Sequence, residues 1–153
     1  MHMPSRKSLL FLADKLPPVI GGMESHAKYF VEHFNGHATY DLQVITKDTA
    51  NQDVWLPKNN EWRRASEQTM RPIVPEIIFY NSGAWIEQLS MHKQLWHNAH
   101  YVNRTGGNEI LKASLVDHFV EQHDARQRYW AEQLSVTLDM LITNSCFTER
   151  RLR

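Results

Sequence analysis

Two adjacent glycines, Gly21 and Gly22, form the first place in the sequence where backbone groups could bind a ligand. Glycine has no Cβ, so a ligand can approach the amide groups of such a pair closely. A segment with helical periodicity follows, and the free N–H groups and partial positive charge at a helix start favour phosphate. The pair and Met23 are therefore candidates for binding a diphosphate. A tight strand-to-helix turn explains the same residues. The dinucleotide pattern G-x-G-x-x-G and the Walker A Gly-Lys-Ser/Thr are both absent.

A second glycine pair follows Arg104. Arg104 comes at the end of a predicted strand, where its guanidinium can donate several hydrogen bonds to an anionic or hydroxyl-rich ligand. Gly106 and Gly107 repeat the loop-before-helix arrangement, and Asn108 can cap the next helix. These residues are candidates for binding an acceptor or a sugar, although a structural salt bridge with a helix cap would also account for them.

Short apolar runs alternate with segments of helical periodicity along the chain. Residues 9–13 are apolar at every position, as expected of a strand buried on both faces. The other predicted strands lie near residues 42–45, 77–80, 100–103 and 138–142, and the predicted helices near 23–34, 85–96, 111–119 and 125–136. This alternation predicts one α/β domain with a Rossmann-like, mostly parallel sheet of five or six strands and helices on both faces.

In such a sheet the loops that follow the strands lie at one edge, where ligands bind. The predicted loops of this kind are residues 17–23, 104–108 and 143–145. Asn144 and Ser145 thus join the glycine loops at the cleft edge, and Ser145 is also a predicted helix N-cap. A ligand site at this shared edge is the main functional expectation from the pattern of residues.

Composition excludes several other functions. The 153 residues are 42% hydrophobic and 22% charged, with 17 basic and 17 acidic side chains. Zero net charge argues against a nucleic-acid partner. The lone Cys146 cannot form an internal disulfide, which favours a reducing compartment and hence the cytoplasm. The nine histidines lack zinc-ligand spacing, so neither a bound metal nor another cofactor is predicted.

The polar stretch from residue 47 to residue 72 has no sustained periodicity. We expect a short strand near residues 54–56 or a functional loop. Its aromatic and basic residues suit stacking on sugars and binding of phosphate, but two tryptophans that pin a loop to the core explain them as well. These residues are Trp55, Trp62, Arg63 and Arg64.

Two segments near opposite ends of the chain share a further pattern. Residues 16–30 contain proline, then Gly-Gly-x-Glu-x-His (with Glu24 and His26), and a later strand ends in Ile45-Thr46. Residues 141–148 join an apolar strand to Asn-Ser and Phe-Thr. In these motifs the sequence resembles the type-B glycosyltransferases, particularly the large retaining family 4. Residues 48–72 match none of its motifs.

The resemblance implies a hexosyltransferase-like enzyme of carbohydrate biosynthesis. It would move a sugar from a nucleotide-sugar donor to a glycan, lipid or small molecule. This chain would be the N-terminal, acceptor-side domain, with the second Rossmann-like domain absent and the sequence truncated at Arg153. We therefore expect little turnover from this domain alone. The glycine loop at 21–23 would contact the donor diphosphate, and Arg104 with its loop would line the acceptor or sugar.

The family's histidine cannot be assigned here, because His100 precedes the end of the strand and Arg104 occupies that end. The catalytic residues are therefore left unassigned. Because some enzymes of this family use lipid acceptors, we also expect that the protein could lie peripherally at the inner membrane face. The alternative is a non-catalytic α/β module that binds a ligand or a protein. A nucleotide-sugar epimerase would need G-x-G-x-x-G and Tyr-x-x-x-Lys, which the sequence lacks.

Overall fold

The computed structural model describes residues 5–16, 21–46, 55–58, 61–64, 74–105, 132 and 136–143. In chain order its elements are β1 (Lys7–Ala13), α1 (Gly22–Phe34), β2 (Tyr40–Thr46), β3 (Trp55–Lys58), β4 (Glu61–Arg64), β5 (Ile77–Tyr80), a 3-10 turn (Gly83–Trp85), α2 (Ile86–Leu95), β6 (His100–Arg104) and β7 (Met140–Ile142). Within this part of the chain, no helix has the length and apolar character needed to cross a membrane.

Five strands form an all-parallel sheet in the order β2-β1-β5-β6-β7. β1 is paired on both sides, so that Phe11 lies opposite Val44 of β2 and Phe79 of β5. This architecture confirms the predicted Rossmann-like α/β fold.

The side chains of β1 alternate between two apolar cores. Phe11, on one face, belongs to the same core as Val31 of α1. Leu10, on the other face, belongs to the same core as Leu89 of α2. The two helices therefore cover opposite faces, which explains why every residue from 9 to 13 had to be apolar.

The chain reverses its direction of travel across the sheet between β1 and β5. From β1 it crosses through α1 to β2 on one side, and from β5 it crosses through α2 to β6 on the other. Because parallel crossovers are right-handed, travel in opposite directions puts the two helices on opposite faces. The carboxyl ends of β1 and β5 consequently flank the crevice that this topology opens for ligands.

β3 and β4 form a separate antiparallel hairpin in which Trp55 pairs with Arg64 and Pro57 with Trp62. A strand near residues 54–56 is thus confirmed, whereas the second strand was not expected. The proposed recognition role of this stretch stays a prediction. Residues 106–131 lie outside the described part of the chain, which leaves the predicted helix at 111–119 untested. Of the predicted helix at 125–136, residues 132 and 136 are described and both are helical.

A buried polar network holds α2 against the sheet. The hydroxyl of Tyr80 lies 2.8 Å from Nδ1 of His92, and Tyr101 donates its hydroxyl hydrogen to the carbonyl oxygens of His92 at 2.8 Å and Trp96 at 3.0 Å. Burial raises the pKa of Tyr80 and lowers that of His92, so both groups are neutral at neutral pH. The last turn of α2 is therefore fixed by uncharged hydrogen bonds.

Replacing Tyr80 with phenylalanine should destabilise the fold, because Nδ1 of the buried His92 loses its partner. We expect the free energy of unfolding to fall by about 1–3 kcal/mol in urea denaturation. The matched control is Tyr29→Phe on the exposed side of α1, where the tyrosine is 68% exposed and the change should stay within about 0.5 kcal/mol. Equal losses in both variants would contradict a stabilising role for the network.

Candidate functional site

The switch in strand order places Asn81 at the centre of the sheet's carboxyl edge. Asn81 directly follows β5, and its backbone N–H donates to the carbonyl oxygen of Leu12 in β1 at 2.9 Å. Its side chain is 2% exposed. On the neighbouring turn, the indole of Trp85 donates to the carbonyl oxygen of Ala13 at 3.0 Å. The ends of β1 and β5 are thereby tied together at the crevice.

The carboxamide of Asn81 also fixes the start of α1. Its Nδ2 donates to the carbonyl oxygen of Met23 at 3.1 Å, and its Oδ1 lies 2.5 Å from Nδ1 of His26. Asn81 therefore joins β1, β5 and the first two turns of α1 by three hydrogen bonds.

His26 is half-buried between this edge and the apolar core. Its ring centroid lies 6.2 Å from that of Phe30 and 6.4 Å from that of Phe79. Burial, and then the positive charge of Arg104, lower its pKa, while the hydrogen bond to Asn81 acts in the opposite direction. The imidazole is consequently neutral at neutral pH.

The two glycines at the start of α1 have different surroundings. The helix begins with the Ser25 N–H donating to the carbonyl oxygen of Gly21 at 2.9 Å. The Glu24 carboxylate folds back over Gly21 and occupies the place of a Cβ. At Gly22, no described atom other than those of its chain neighbours and the backbone of α1 lies within 4 Å of the corresponding point. No side chain among the described residues caps these amides. The open part of the predicted diphosphate loop is therefore at Gly22.

Arg104, at the end of β6, lies beside the same helix start. One guanidinium nitrogen, Nη1, is 3.1 Å from the thioether sulfur of Met23, which is a weak acceptor. The structure thus brings two of the predicted groups together: Arg104 and the segment 21–23. The other predicted site residues, which are Gly106, Gly107, Asn108, Asn144 and Ser145, lie outside the described residues.

Two further buried polar side chains lie at the end of β6, on the face of the sheet opposite to Arg104. Asn103 donates from Nδ2 to the carbonyl oxygen of Ser82 at 3.3 Å. Within the described residues, Oδ1 of Asn103 and Oγ1 of Thr105 have no hydrogen-bond partner. Sequence reasoning missed these residues and Asn81. The available signal was a polar residue at or just after the end of each apolar strand.

The site contains no evident metal centre in the part of the chain that the structure covers, since no group of three or more His, Cys, Asp or Glu side chains is close enough to hold an ion. Searches against known proteins do not add a family: no family model and no curated protein matches this sequence. Any interpretation of the function therefore depends on the fold and on the geometry of this edge.

Neutralising Arg104 should raise the pKa of His26, because the nearby guanidinium disfavours the charged imidazolium. We expect Arg104→Gln to move the midpoint of the His26 titration to higher pH in an NMR titration of the imidazole. The control is Lys28→Gln, which removes an exposed charge from the same helix and should leave that midpoint in place. An unchanged midpoint in Arg104→Gln would show that the guanidinium and the imidazole do not interact.

Proposed function

We propose that this chain is the acceptor-side domain of a glycosyltransferase that uses a nucleotide-sugar donor. The observation that carries the proposal is the convergence of the uncapped α1 start at Gly22 and the Arg104 guanidinium on Met23. This convergence lies beside the switch point of the sheet, which is where open parallel α/β sheets generally bind ligands. A second Rossmann-like domain would hold the rest of the donor, and the acceptor would be a glycan, a lipid or a small molecule.

The chemistry of sugar transfer suits these groups. When the bond between the anomeric carbon and the diphosphate breaks, negative charge develops on the departing phosphate oxygen. Amide hydrogens at a helix start and a nearby guanidinium stabilise such charge without needing to reorganise. Binding donor and acceptor side by side in the crevice lowers the activation barrier further, because the reacting groups are already close together.

The Glu24 carboxylate limits where a diphosphate could bind at the start of α1. It covers Gly21, where it would repel a phosphate. Gly22 is exposed and has open space beside its Cα. We therefore place the diphosphate against Gly22 and Met23 rather than against Gly21.

Gly22→Val should block this contact while leaving the fold intact. Apart from its chain neighbours and the backbone of α1, no described atom lies within 4 Å of the added Cβ, so the free energy of unfolding should change by less than about 1 kcal/mol. Binding of UDP-, GDP- and ADP-sugars, followed by ligand-detected NMR, should weaken at least about tenfold, which corresponds to one lost charge-assisted hydrogen bond.

The control is Tyr29→Val, which introduces the same residue on the exposed side of the same helix and should leave binding unchanged. If Gly22→Val binds nucleotide-sugars as well as the wild type does, the diphosphate does not contact Gly22 and the transferase proposal fails. The chain would then be better described as a non-catalytic binding module.

A further inference from the structure

The amide of Asn81 has one possible orientation in its surroundings. A carbonyl oxygen only accepts hydrogen bonds, so the atom of Asn81 facing the Met23 carbonyl must be the Nδ2 amide. The other atom, Oδ1, then faces His26 and is an acceptor only.

This orientation determines which nitrogen of His26 carries the proton. Because Oδ1 of Asn81 can only accept, Nδ1 of His26 must donate across the 2.5 Å contact. In a neutral imidazole with a protonated Nδ1, Nε2 bears a lone pair and accepts hydrogen bonds. Burial and the charge of Arg104 keep the ring neutral.

Nε2 of His26 has no hydrogen-bond partner among the described residues. The groups facing the ring are Asn81, the aromatic rings of Phe30 and Phe79, and the Arg104 charge. The rings offer no conventional donor. The residue is only half-buried, so part of it is accessible to solvent.

We propose that Nε2 of His26 accepts a hydrogen bond from a hydroxyl group of the acceptor sugar, and that Asn81 fixes the imidazole tautomer that permits this. The identity of the ligand as a sugar rests on the proposed function. An ionised phosphate oxygen has no proton to donate and is not recognised by a bare imidazole lone pair. In this proposal a hydroxyl group binds at His26, and the phosphate binds at Gly22, one helical turn away.

The tautomer is tested first, in the ligand-free chain. Long-range ¹H–¹⁵N NMR above pH 6.5, the ordinary histidine value, should show a protonated Nδ1 and an unprotonated Nε2. Asn81→Leu removes this acceptor and should shift the population toward protonated Nε2. A protonated Nε2 in the wild-type chain would overturn the proposal.

The ligand contact is tested with methyl hexosides and with the same hexosides after every hydroxyl has been O-methylated. The free hydroxyls should move the Nε2 resonance of His26, and the methylated probes, which cannot donate, should not. His26→Phe keeps a ring between Phe30 and Phe79 and should weaken hexoside binding about three- to tenfold, as the loss of one neutral hydrogen bond does.

A correct tautomer with no response to any hexoside would also overturn the proposal, because Asn81 would then act only in folding. The test is separable from that of the proposed function. If hexosides move the Nε2 resonance while Gly22→Val binds nucleotide-sugars as well as the wild type does, the hydroxyl contact is supported and the transferase proposal fails.

Discussion

The hydrogen bonds of Asn81 are the constraint on which the geometry of this edge depends. They connect the backbone of β1, the end of β5 and the first two turns of α1 at the point where the sheet reverses its strand order. In a buried position each polar atom needs a partner, so the loss of one bond leaves another group unsatisfied. The helix start is therefore held at the crevice by one carboxamide as well as by apolar packing.

The electrostatics of the edge follow from this arrangement. Asn81 holds a neutral His26 near Arg104, so the charge there comes from the guanidinium and from the helix start rather than from a titrating pair. Glu24 supplies the opposing charge at Gly21. An anion and a hydroxyl-bearing group would thus meet different surfaces within one turn of α1.

Much of the fold could be predicted because its signals are local. The unbroken apolar run at residues 9–13 indicated a strand covered on both faces, and the helical periodicity after Gly22 indicated α1. The neighbours of β1 could not be predicted, since apolar character does not specify which strand pairs with which. The role of Asn81 was missed for a similar reason. Asparagine after a strand is typical of a turn, and its contacts with α1 span 55 and 58 residues of sequence.

The central place of β1 has a consequence for the protein during its synthesis. Lys7 pairs with Tyr40, 33 positions later, and Leu9 pairs with Ile77, 68 positions later. The most apolar strand is therefore made before either of its neighbours, and such distant pairings slow folding. Until residues 77–80 have been synthesised, one edge of β1 has no partner strand, and an unpaired edge of this kind favours association with other chains.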